Sequence, residues 1–226
     1  MALKIIGVVG AGTMGNGIAQ AFAQAGFDVV MSDVAQAALD RALATISGSY
    51  DRLIKKEKMT AEQKAAALGR IKTATDLAAL KDADLVIEAA TENLDLKLKI
   101  FRQLDELAKA DAVIASNTSS ISITKLAAST KRPDKVIGMH FFNPVPLMAL
   151  VELIRGLQTS DATYATVEEV SKAVGKSPVE VRNSPGFVVN RMLCPMINEA
   201  IFALGEGLAT AAQIDEAMKL GANHPI

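Results

Sequence analysis

The stretch that decides the fold is residues 4–15, KIIGVVGAGTMG, in which an apolar run leads into glycines spaced as GxGxxG. The apolar run predicts a buried strand, and residues 14–25 predict a helix with one apolar face. Between such a strand and helix, the glycines permit a tight turn, close approach of a pyrophosphate to the backbone, and tight helix–strand packing. The helix N-terminus adds N–H groups that bind phosphate. We expect these residues to line the phosphate site: Gly10, Gly12, Thr13, Met14 and Gly15.

An acidic residue follows the next predicted strand, residues 27–31. Asp33 closes this strand, where a carboxylate can accept hydrogen bonds from the ribose hydroxyls of an adenosine. It would repel a 2′-phosphate, and neither Val34 nor Ala35 provides a compensating positive charge. The pattern therefore favours NAD over NADP, with FAD, or a fold that has lost its ligand, as alternatives.

The rest of the chain alternates short β-branched runs with longer helical patterns. Further strands are predicted at 71–73, 85–88, 113–116, 136–139, 147–154 and 179–181, with helices at 35–58 and 162–174. This rhythm is typical of a doubly wound α/β domain of Rossmann type, a parallel sheet wrapped by helices, over residues 1–183. A turn-rich break begins at Asn183, and helical patterns at 187–204 and 211–220 predict an all-helical C-terminal domain from residue 184.

Composition argues against several classes of protein. The 24 basic and 25 acidic residues balance, so no nucleic-acid partner is predicted. No apolar run is long enough to span a membrane, and we predict no membrane partner and no metal site. Cys194 is the single cysteine, which suits a reducing cytoplasm.

The first of two histidines lies at a strand end. Taken alone, such a histidine is more often structural than catalytic. His140, however, is predicted at the carboxyl end of a strand, which in a doubly wound sheet faces the cofactor crevice. Glu152 follows in a second apolar run, and a carboxylate buried there needs a partner. An imidazole oriented by a carboxylate is a plausible general base.

Five segments together resemble the 3-hydroxyacyl-CoA dehydrogenase family. They are residues 10–15, 87–93 (IEAATEN), 116–120 (SNTSS), 140–144 (HFFNP) and 183–191 (NSPGFVVNR). The resemblance covers essentially the whole chain in order and spacing, and it is strongest to the bacterial 3-hydroxybutyryl-CoA dehydrogenases. It implies an NAD-dependent oxidoreductase of fatty acid metabolism whose substrates are acyl-CoA thioesters.

The resemblance also implies roles for individual residues. It makes His140 the catalytic base and Glu152 its orienting acid, and it places Ser119 and Asn190 on the substrate near its reacting oxygens. Positions that match the family's cofactor site are Asp33, Glu92, Lys97, Asn117, Ser119 and Asn143. Positions that match contacts with coenzyme A are Ser49 and Lys56.

Each implied role has a simpler rival. Lys56 can belong to the solvated face of a helix, and Ser119 can cap a helix that starts near Ile121. Asn190 can serve packing, and Glu92 and Lys97 can form an ordinary surface ion pair.

Two alternatives stay open for the whole protein, a dehydrogenase of a free hydroxy acid or sugar acid and a non-catalytic structural relative. The family's helical domain continues past the position that matches Ile226, so residues 184–226 are expected to form only the start of a substrate and dimerisation domain. The expected assembly of the full-length protein is a homodimer.

Overall fold

The computed structural model describes residues 3–225. Its strands are β1 (Ile5–Val9), β2 (Asp28–Ser32), β3 (Ile71–Ala74), β4 (Leu85–Glu88), β5 (Val113–Ser116), β6 (Val136–Phe141), β7 (Leu150–Arg155) and β8 (Ser177–Arg182). Its helices are α1 (Thr13–Gln24), α2 (Gln36–Lys55), α3 (Ala61–Gly69), α4 (Leu94–Leu107), α5 (Ile123–Ala127), α6 (Asp161–Ala173), α7 (Val189–Gly205) and α8 (Ala211–Gly221).

The eight strands form one sheet in the order β3-β2-β1-β4-β5-β6-β7-β8. The chain runs from β1 outward to β3 and then crosses back to β4, so the strand order reverses between β1 and β4. In open α/β sheets this switch point opens a crevice at the carboxyl ends of the strands. The predicted doubly wound class is confirmed, and the crevice lies where β1 meets the glycine loop.

One strand pair departs from the expected parallel arrangement. Strand β7 runs antiparallel to β6, whereas every other neighbouring pair in the sheet is parallel. Only residues 142–149 connect these two strands. A parallel return needs a crossover of about a dozen residues or more, so this short connection forces the chain to turn straight back.

The apolar periodicity of α1 explains how the helix packs. Ile18 and Phe22 are fully buried against the sheet, and the Phe22 ring meets Phe27 and Phe141 edge-on. Tyr50 of α2 is also fully buried, and its hydroxyl donates to the Gln20 carbonyl of α1 at 3.0 Å. Burial raises the pKa of the Tyr50 phenol. These contacts fix α1, and with it the glycine loop, on the sheet.

The helical prediction for residues 35–58 was too long. Helix α2 ends at Lys55, Glu57 has a positive φ of 56°, and α3 then starts from a capping box. The Thr60 hydroxyl accepts from the Gln63 N–H, and Gln63 Oε1 accepts from the Thr60 N–H. These two bonds satisfy the first backbone donors of a new helix. No bounds were predicted for α3 and α4, and for α5 only a start near Ile121 was expected.

The chain divides into two compact units, residues 1–185 and residues 186–226. The first holds the sheet with α1 to α6, and the second holds α7 and α8. Large apolar side chains of α7 are exposed, including Met192 (70%) and Ile201 (60%). In the described part of the chain, no helix is both long and apolar enough to cross a membrane.

Candidate active site

The loop between β1 and α1 has two positions that only glycine can occupy. Gly10 has a φ of +98°, and a Cβ added there would lie 2.7 Å from the Ala89 carbonyl oxygen. A Cβ on Gly15 would lie 1.8 Å from the Gly10 carbonyl oxygen. Gly12 is the N-cap of α1 and makes no side-chain cap, so the first N–H groups of the helix lack that partner. The loop thus provides close backbone approach and the helix-terminal donors that phosphate requires.

Asp33 braces this loop directly. Its Oδ2 accepts from the Ala11 N–H at 2.8 Å, and its Oδ1 accepts from the Ala35 N–H at 3.0 Å. The Gly10 N–H also donates to the Ser32 carbonyl at 2.7 Å, so the end of β2 holds the glycine loop from one side. The carboxylate is half-buried at the crevice edge, and the sequence did not indicate its bracing role.

The end of β5 lies two strands from the glycine loop, beyond β4. Asn117 is buried there, and its Oδ1 accepts from the Phe141 N–H at 2.9 Å. Its own N–H donates to the Glu88 carbonyl at 2.7 Å. Asn117 therefore ties the carboxyl ends of β4, β5 and β6 together. Asn143 lies beyond β6 in the exposed connection to β7.

His140 and Glu152 face each other across two strands. They are partners in the antiparallel register of β6 and β7, and His140 Nδ1 lies 2.7 Å from Glu152 Oε2. Their side chains are only 6% and 1% exposed. The His140 ring also stacks obliquely on Phe142, with 4.5 Å between centroids. The strand register thus builds the imidazole–carboxylate pair that the sequence suggested.

Lys97 and Glu92 do not form the surface pair that the simpler interpretation proposed. The Lys97 side chain is 1% exposed, and its Nζ lies 2.6 Å from Oε1 of the fully buried Glu88. Glu92 Oε2 is 3.5 Å from the same Nζ. Lys97 also donates to the Ala90 carbonyl at 3.1 Å. A buried ammonium held by two carboxylates is the central charge at the end of β4.

Glu92 reaches across to the loop after β5. Its Oε1 accepts from the Thr118 hydroxyl, from the Ser119 N–H at 3.2 Å and from the Ser120 hydroxyl at 3.0 Å. Burial by itself would raise the pKa of the Glu92 carboxyl. The hydrogen bonds and the Lys97 charge together outweigh burial and hold the pKa below its ordinary value. The carboxylate therefore stays ionised at neutral pH.

Ser119 is exposed, and it does not cap the following helix as the simpler interpretation proposed. The N-cap of α5 is Ser122, whose hydroxyl accepts from the Lys125 N–H. Asn183 binds the same turn, because its Oδ1 accepts from the Ile123 N–H at 2.8 Å and its amide donates to the Ser122 hydroxyl. The hydroxyl of Ser119 is thus not needed to start α5.

Of the two residues expected at coenzyme A, Ser49 lies on α2 and Lys56 directly follows the last residue of that helix. The Ser49 hydroxyl is half-buried and accepts from Gln20 Nε2 at 2.9 Å, so it has a structural partner on α1. Lys56 is exposed at the C-terminal cap of the helix, two turns further along. Positions seven apart on a helix share a face, and Lys56 directly follows the last helical residue, so both side chains can face the same ligand.

Asn190 belongs to the second unit. It is half-buried in the first turn of α7, the helix that begins at Val189. Gly186 precedes it with a φ of +75°, and a Cβ there would lie 3.0 Å from the Arg191 backbone nitrogen. The turn before α7 therefore needs glycine. Within residues 3–225, no three His, Cys, Asp or Glu side chains converge so as to hold a metal ion.

Comparison with known proteins gives the family. Residues 5–184 match the profile described as the NAD-binding domain of 3-hydroxyacyl-CoA dehydrogenase. Residues 186–226 match the profile of its C-terminal domain. The chain belongs to the 3-hydroxyacyl-CoA dehydrogenase family.

Several members of the 3-hydroxyacyl-CoA dehydrogenase family are close in sequence and fold. The 3-hydroxybutyryl-CoA dehydrogenase of Clostridioides difficile is 53% identical over 98% of this chain and 79% of its own length. The mitochondrial hydroxyacyl-coenzyme A dehydrogenase of Rattus norvegicus is 43% identical over 99% of this chain and 73% of its own. The crystal structure of (S)-3-hydroxybutyryl-CoA dehydrogenase from Ralstonia eutropha superimposes with a TM-score of 0.98 at 65% identity, covering 100% of this chain and 80% of that one.

Membership in the 3-hydroxyacyl-CoA dehydrogenase family confirms three predictions made from the sequence: the Rossmann-type fold, the NAD cofactor and the dehydrogenase class. The structure brings together, within the first unit, the glycine loop, Asp33, the Glu92–Lys97 pair and the His140–Glu152 pair. Sequence reasoning missed Glu88 and Ser116. The available signal was the carboxylate of Glu88 at the end of an apolar strand, because a buried carboxylate implies a buried partner such as Ser116.

Proposed function

We propose that this protein interconverts (3S)-3-hydroxybutyryl-CoA and acetoacetyl-CoA by hydride transfer with NAD. The observation that carries the proposal is the buried His140–Glu152 pair, 2.7 Å apart at the carboxyl end of β6. The substrate comes from the names of the relatives from Clostridioides difficile and Ralstonia eutropha, which share more than half of their aligned residues with this chain.

The residues at the crevice fit NAD. Gly10 and Gly15 leave no room for a side chain between the loop and its supports, and α1 offers uncapped N–H groups beside them. Asp33 is an acid at the ribose position, with no basic residue in the following turn. When bound, NAD supplies the acceptor for the hydride that leaves C3 of the substrate. The protein's own task is to hold both reactants and to move the hydroxyl proton.

His140 moves that proton. Its Nδ1 engages Glu152, so we assign proton exchange with the C3 hydroxyl to Nε2. In oxidation the imidazole accepts the proton, and the Glu152 carboxylate stabilises the imidazolium that results. In reduction the same imidazolium donates the proton to the oxygen at C3. Burial of both side chains strengthens this coupling, because water does not screen it.

Four residues are assigned to the substrate. Ser119 and Asn190 are proposed to hydrogen-bond the acyl group near its reacting oxygens, and each carries a donor and an acceptor for that purpose. Ser49 and Lys56 are proposed to bind coenzyme A from α2. An exposed ammonium such as that of Lys56 suits the phosphates of the coenzyme A part of the substrate. Asn143, Asn117, Glu92 and Lys97 are proposed to surround the nicotinamide end of NAD.

The proposal includes the cytoplasm as the compartment and a homodimer as the assembly of the full-length protein. A lone and exposed Cys194 suits a reducing compartment. Exposed apolar residues along α7, such as Met192 and Ile201, suit a surface that another helical surface covers. Sedimentation equilibrium of the purified protein tests the assembly.

The direct test measures NADH oxidation with acetoacetyl-CoA and, in parallel, with free acetoacetate. We expect turnover with the thioester and a much lower kcat/KM with the free acid. Equal values would favour the alternative of a free hydroxy-acid dehydrogenase. Tight NADH binding without turnover of either compound would favour the non-catalytic alternative.

Lys56→Met tests the coenzyme A site separately. We expect a higher KM for acetoacetyl-CoA and an unchanged Kd for NADH, because Lys56 lies at the C-terminal end of α2 and not at the glycine loop. Lys55→Met is the matched control, since it removes the adjacent exposed charge of the same helix. An equal rise in KM for both variants would mean that general surface charge, not Lys56, attracts the substrate.

A further inference from the structure

Glu88 is a fully buried carboxylate whose two oxygens are both occupied. Oε1 accepts from Lys97 Nζ at 2.6 Å and from the Ala90 N–H at 2.7 Å. Oε2 accepts from the Ser116 hydroxyl at 2.7 Å. One side chain at the end of β4 thus fastens the loop after its own strand, helix α4 and the end of β5.

These bonds continue into a closed ring of side chains. From Glu88 the ring passes to Lys97, and from Lys97 Nζ to Glu92 at 3.5 Å. Glu92 accepts from the Thr118 hydroxyl, and the Thr118 N–H donates to the Ser116 hydroxyl at 3.2 Å. Ser116 closes the ring on Glu88. The ring holds two carboxylates and one ammonium.

The ring lies against the parts of the crevice that must be placed accurately. Its Thr118 precedes Ser119, whose N–H donates to Glu92 at 3.2 Å. On the other side, the Ala89 carbonyl next to Glu88 lies so close to Gly10 that no side chain fits between them. A shift of Glu88 therefore reaches both the serine loop and the support of the glycine loop.

Stability alone does not explain this carboxylate. Leu85, Val86 and Ile87 of the same strand are all buried, and an apolar residue would continue their packing. Replacing a buried ion pair by apolar residues of similar volume is often neutral or stabilising in proteins. What an apolar residue cannot do is hold Lys97 and Ser116 at fixed hydrogen-bond distances.

We propose that Glu88 is a positioning residue for the dehydrogenase reaction. It anchors Lys97 and Ser116, and through them it sets the position of Glu92 and of the loop that carries Ser119. This inference rests on the proposed function, in which Ser119 binds the acyl group.

The test uses Glu88→Gln, which keeps the shape of the side chain and removes its charge. We expect kcat for acetoacetyl-CoA reduction to fall by about 10²-fold, the cost of a small misplacement of reacting groups. Ser119→Ala should lower kcat in the native background and have little further effect in the Glu88→Gln background. Ser119 lies outside the ring and is bonded to Glu92, not to Glu88, so this non-additivity reports positioning through the ring.

Asp105→Asn is the matched control. Asp105 is a second buried carboxylate of the first unit, with its side chain 7% exposed and 2.9 Å from Arg132 Nε, and it lies on α4 as Lys97 does. We expect this variant to lower the melting temperature without changing kcat. Amide hydrogen exchange gives a readout that needs no activity: protection at Thr118 and Ser119 should fall in Glu88→Gln and not in Asp105→Asn.

Two results would overturn the inference. One is a Glu88→Gln protein that matches Asp105→Asn, less stable but with native kcat and native protection of the serine loop. The other is a Ser119→Ala effect that is fully multiplicative with Glu88→Gln. If Glu88→Gln does not fold, Ser116→Ala removes the bond to Glu88 and the bond from the Thr118 N–H. The same coupling measurement applies to it, and exchange is then followed at the Ser119 N–H, which the substitution does not contact directly. A native protein that binds NADH and reduces no acetoacetyl-CoA would instead refute the proposed function, and the exchange result would then still decide whether Glu88 holds the loop.

Discussion

The His140–Glu152 pair permits a sharp test, because one carboxylate oxygen of Glu152 can be replaced by an amide nitrogen with little change in the shape of the side chain. Glu152→Gln keeps a side chain of the same length opposite His140 and removes the negative charge. In the structure the two groups lie 2.7 Å apart, and both are almost completely buried. The substitution therefore removes an unscreened interaction at short range.

The size of the effect follows from that distance. Two unit charges 2.7 Å apart interact by about 6 kcal/mol at an effective dielectric constant of about 20. This is the upper limit for the loss of imidazolium stabilisation. A positioned general acid–base contributes about 10²–10⁴-fold to the rate. At about 1.4 kcal/mol per factor of ten, that range corresponds to about 3–5 kcal/mol, which lies within the limit.

Glutamine adds a second defect. Its amide can donate a hydrogen bond to Nδ1 of His140, which would leave the proton on Nε2. An imidazole in that tautomer cannot accept the proton of the substrate alcohol. We therefore expect kcat of Glu152→Gln to fall by about 10²–10⁴-fold, comparable with His140→Ala.

The assay is steady-state reduction of acetoacetyl-CoA by NADH for Glu152→Gln, His140→Ala and the double variant. The double variant should be little worse than the poorer single variant, because residues that act as a unit are non-additive. Glu180→Gln is the control, since Glu180 is a half-exposed carboxylate of the neighbouring strand β8, 3.4 Å from Arg155. It should change kcat by no more than about twofold, as expected for a weak surface pair. Clean multiplication of the two single defects would show that His140 and Glu152 work independently.

Three further predictions concern the cofactor loop and the Glu92 carboxylate. The native protein should have a higher kcat/KM with NADH than with NADPH, and equal values would refute the ribose assignment. Asp33→Ala should reduce this preference for NADH. It should also raise the Kd for NADH, because Asp33 braces the glycine loop. Gly15→Ala should abolish NADH binding in a fluorescence titration, because its Cβ would lie 1.8 Å from the Gly10 carbonyl oxygen, and binding at native affinity would contradict this steric argument. The folded-state pKa of Glu92 is held below its ordinary value, so its ionised form stabilises the fold above the unfolded-state pKa, and this contribution is lost as pH falls through the folded value. Urea unfolding should give a higher free energy of unfolding for the native protein than for Glu92→Gln at neutral pH, and this difference should decrease in acid. A difference independent of pH would count against the hydrogen bonds that Glu92 accepts.

Local chemistry made much of this protein predictable. Gly10 and Gly15 are needed because a side chain at either position meets a backbone carbonyl, and that restriction is readable as a spacing. The strands are readable because burial on both faces requires continuous apolar runs. Every one of the eight predicted strands is present, and most bounds differ from the prediction by one to three residues. The extra helix start at Thr60 was missed, although its capping box is also a local signal.

The pairing of His140 with Glu152 was only partly predictable from the sequence. The chain order suggested it, since a buried acid needs a partner. The contact itself depends on the antiparallel return of β7 and on a register in which the two residues are directly opposite. A slip of one residue would turn one of the two side chains to the other face of the sheet.

By itself, the sequence determined the strand–loop–helix phosphate site, the acid at the ribose, the strand and helix alternation and the family. Only the tertiary structure decided which carboxylate holds Lys97, and that Ser116 and Thr118 complete the ring that contains it. Glu88 is 9 residues from Lys97 and 28 from Ser116, while Glu92 is 26 from Thr118. Such partners meet because β4 and β5 are adjacent parallel strands whose carboxyl ends coincide. Strand order and register are properties of the whole sheet, set by the packing of many apolar residues at once, and no local pattern of charges encodes them.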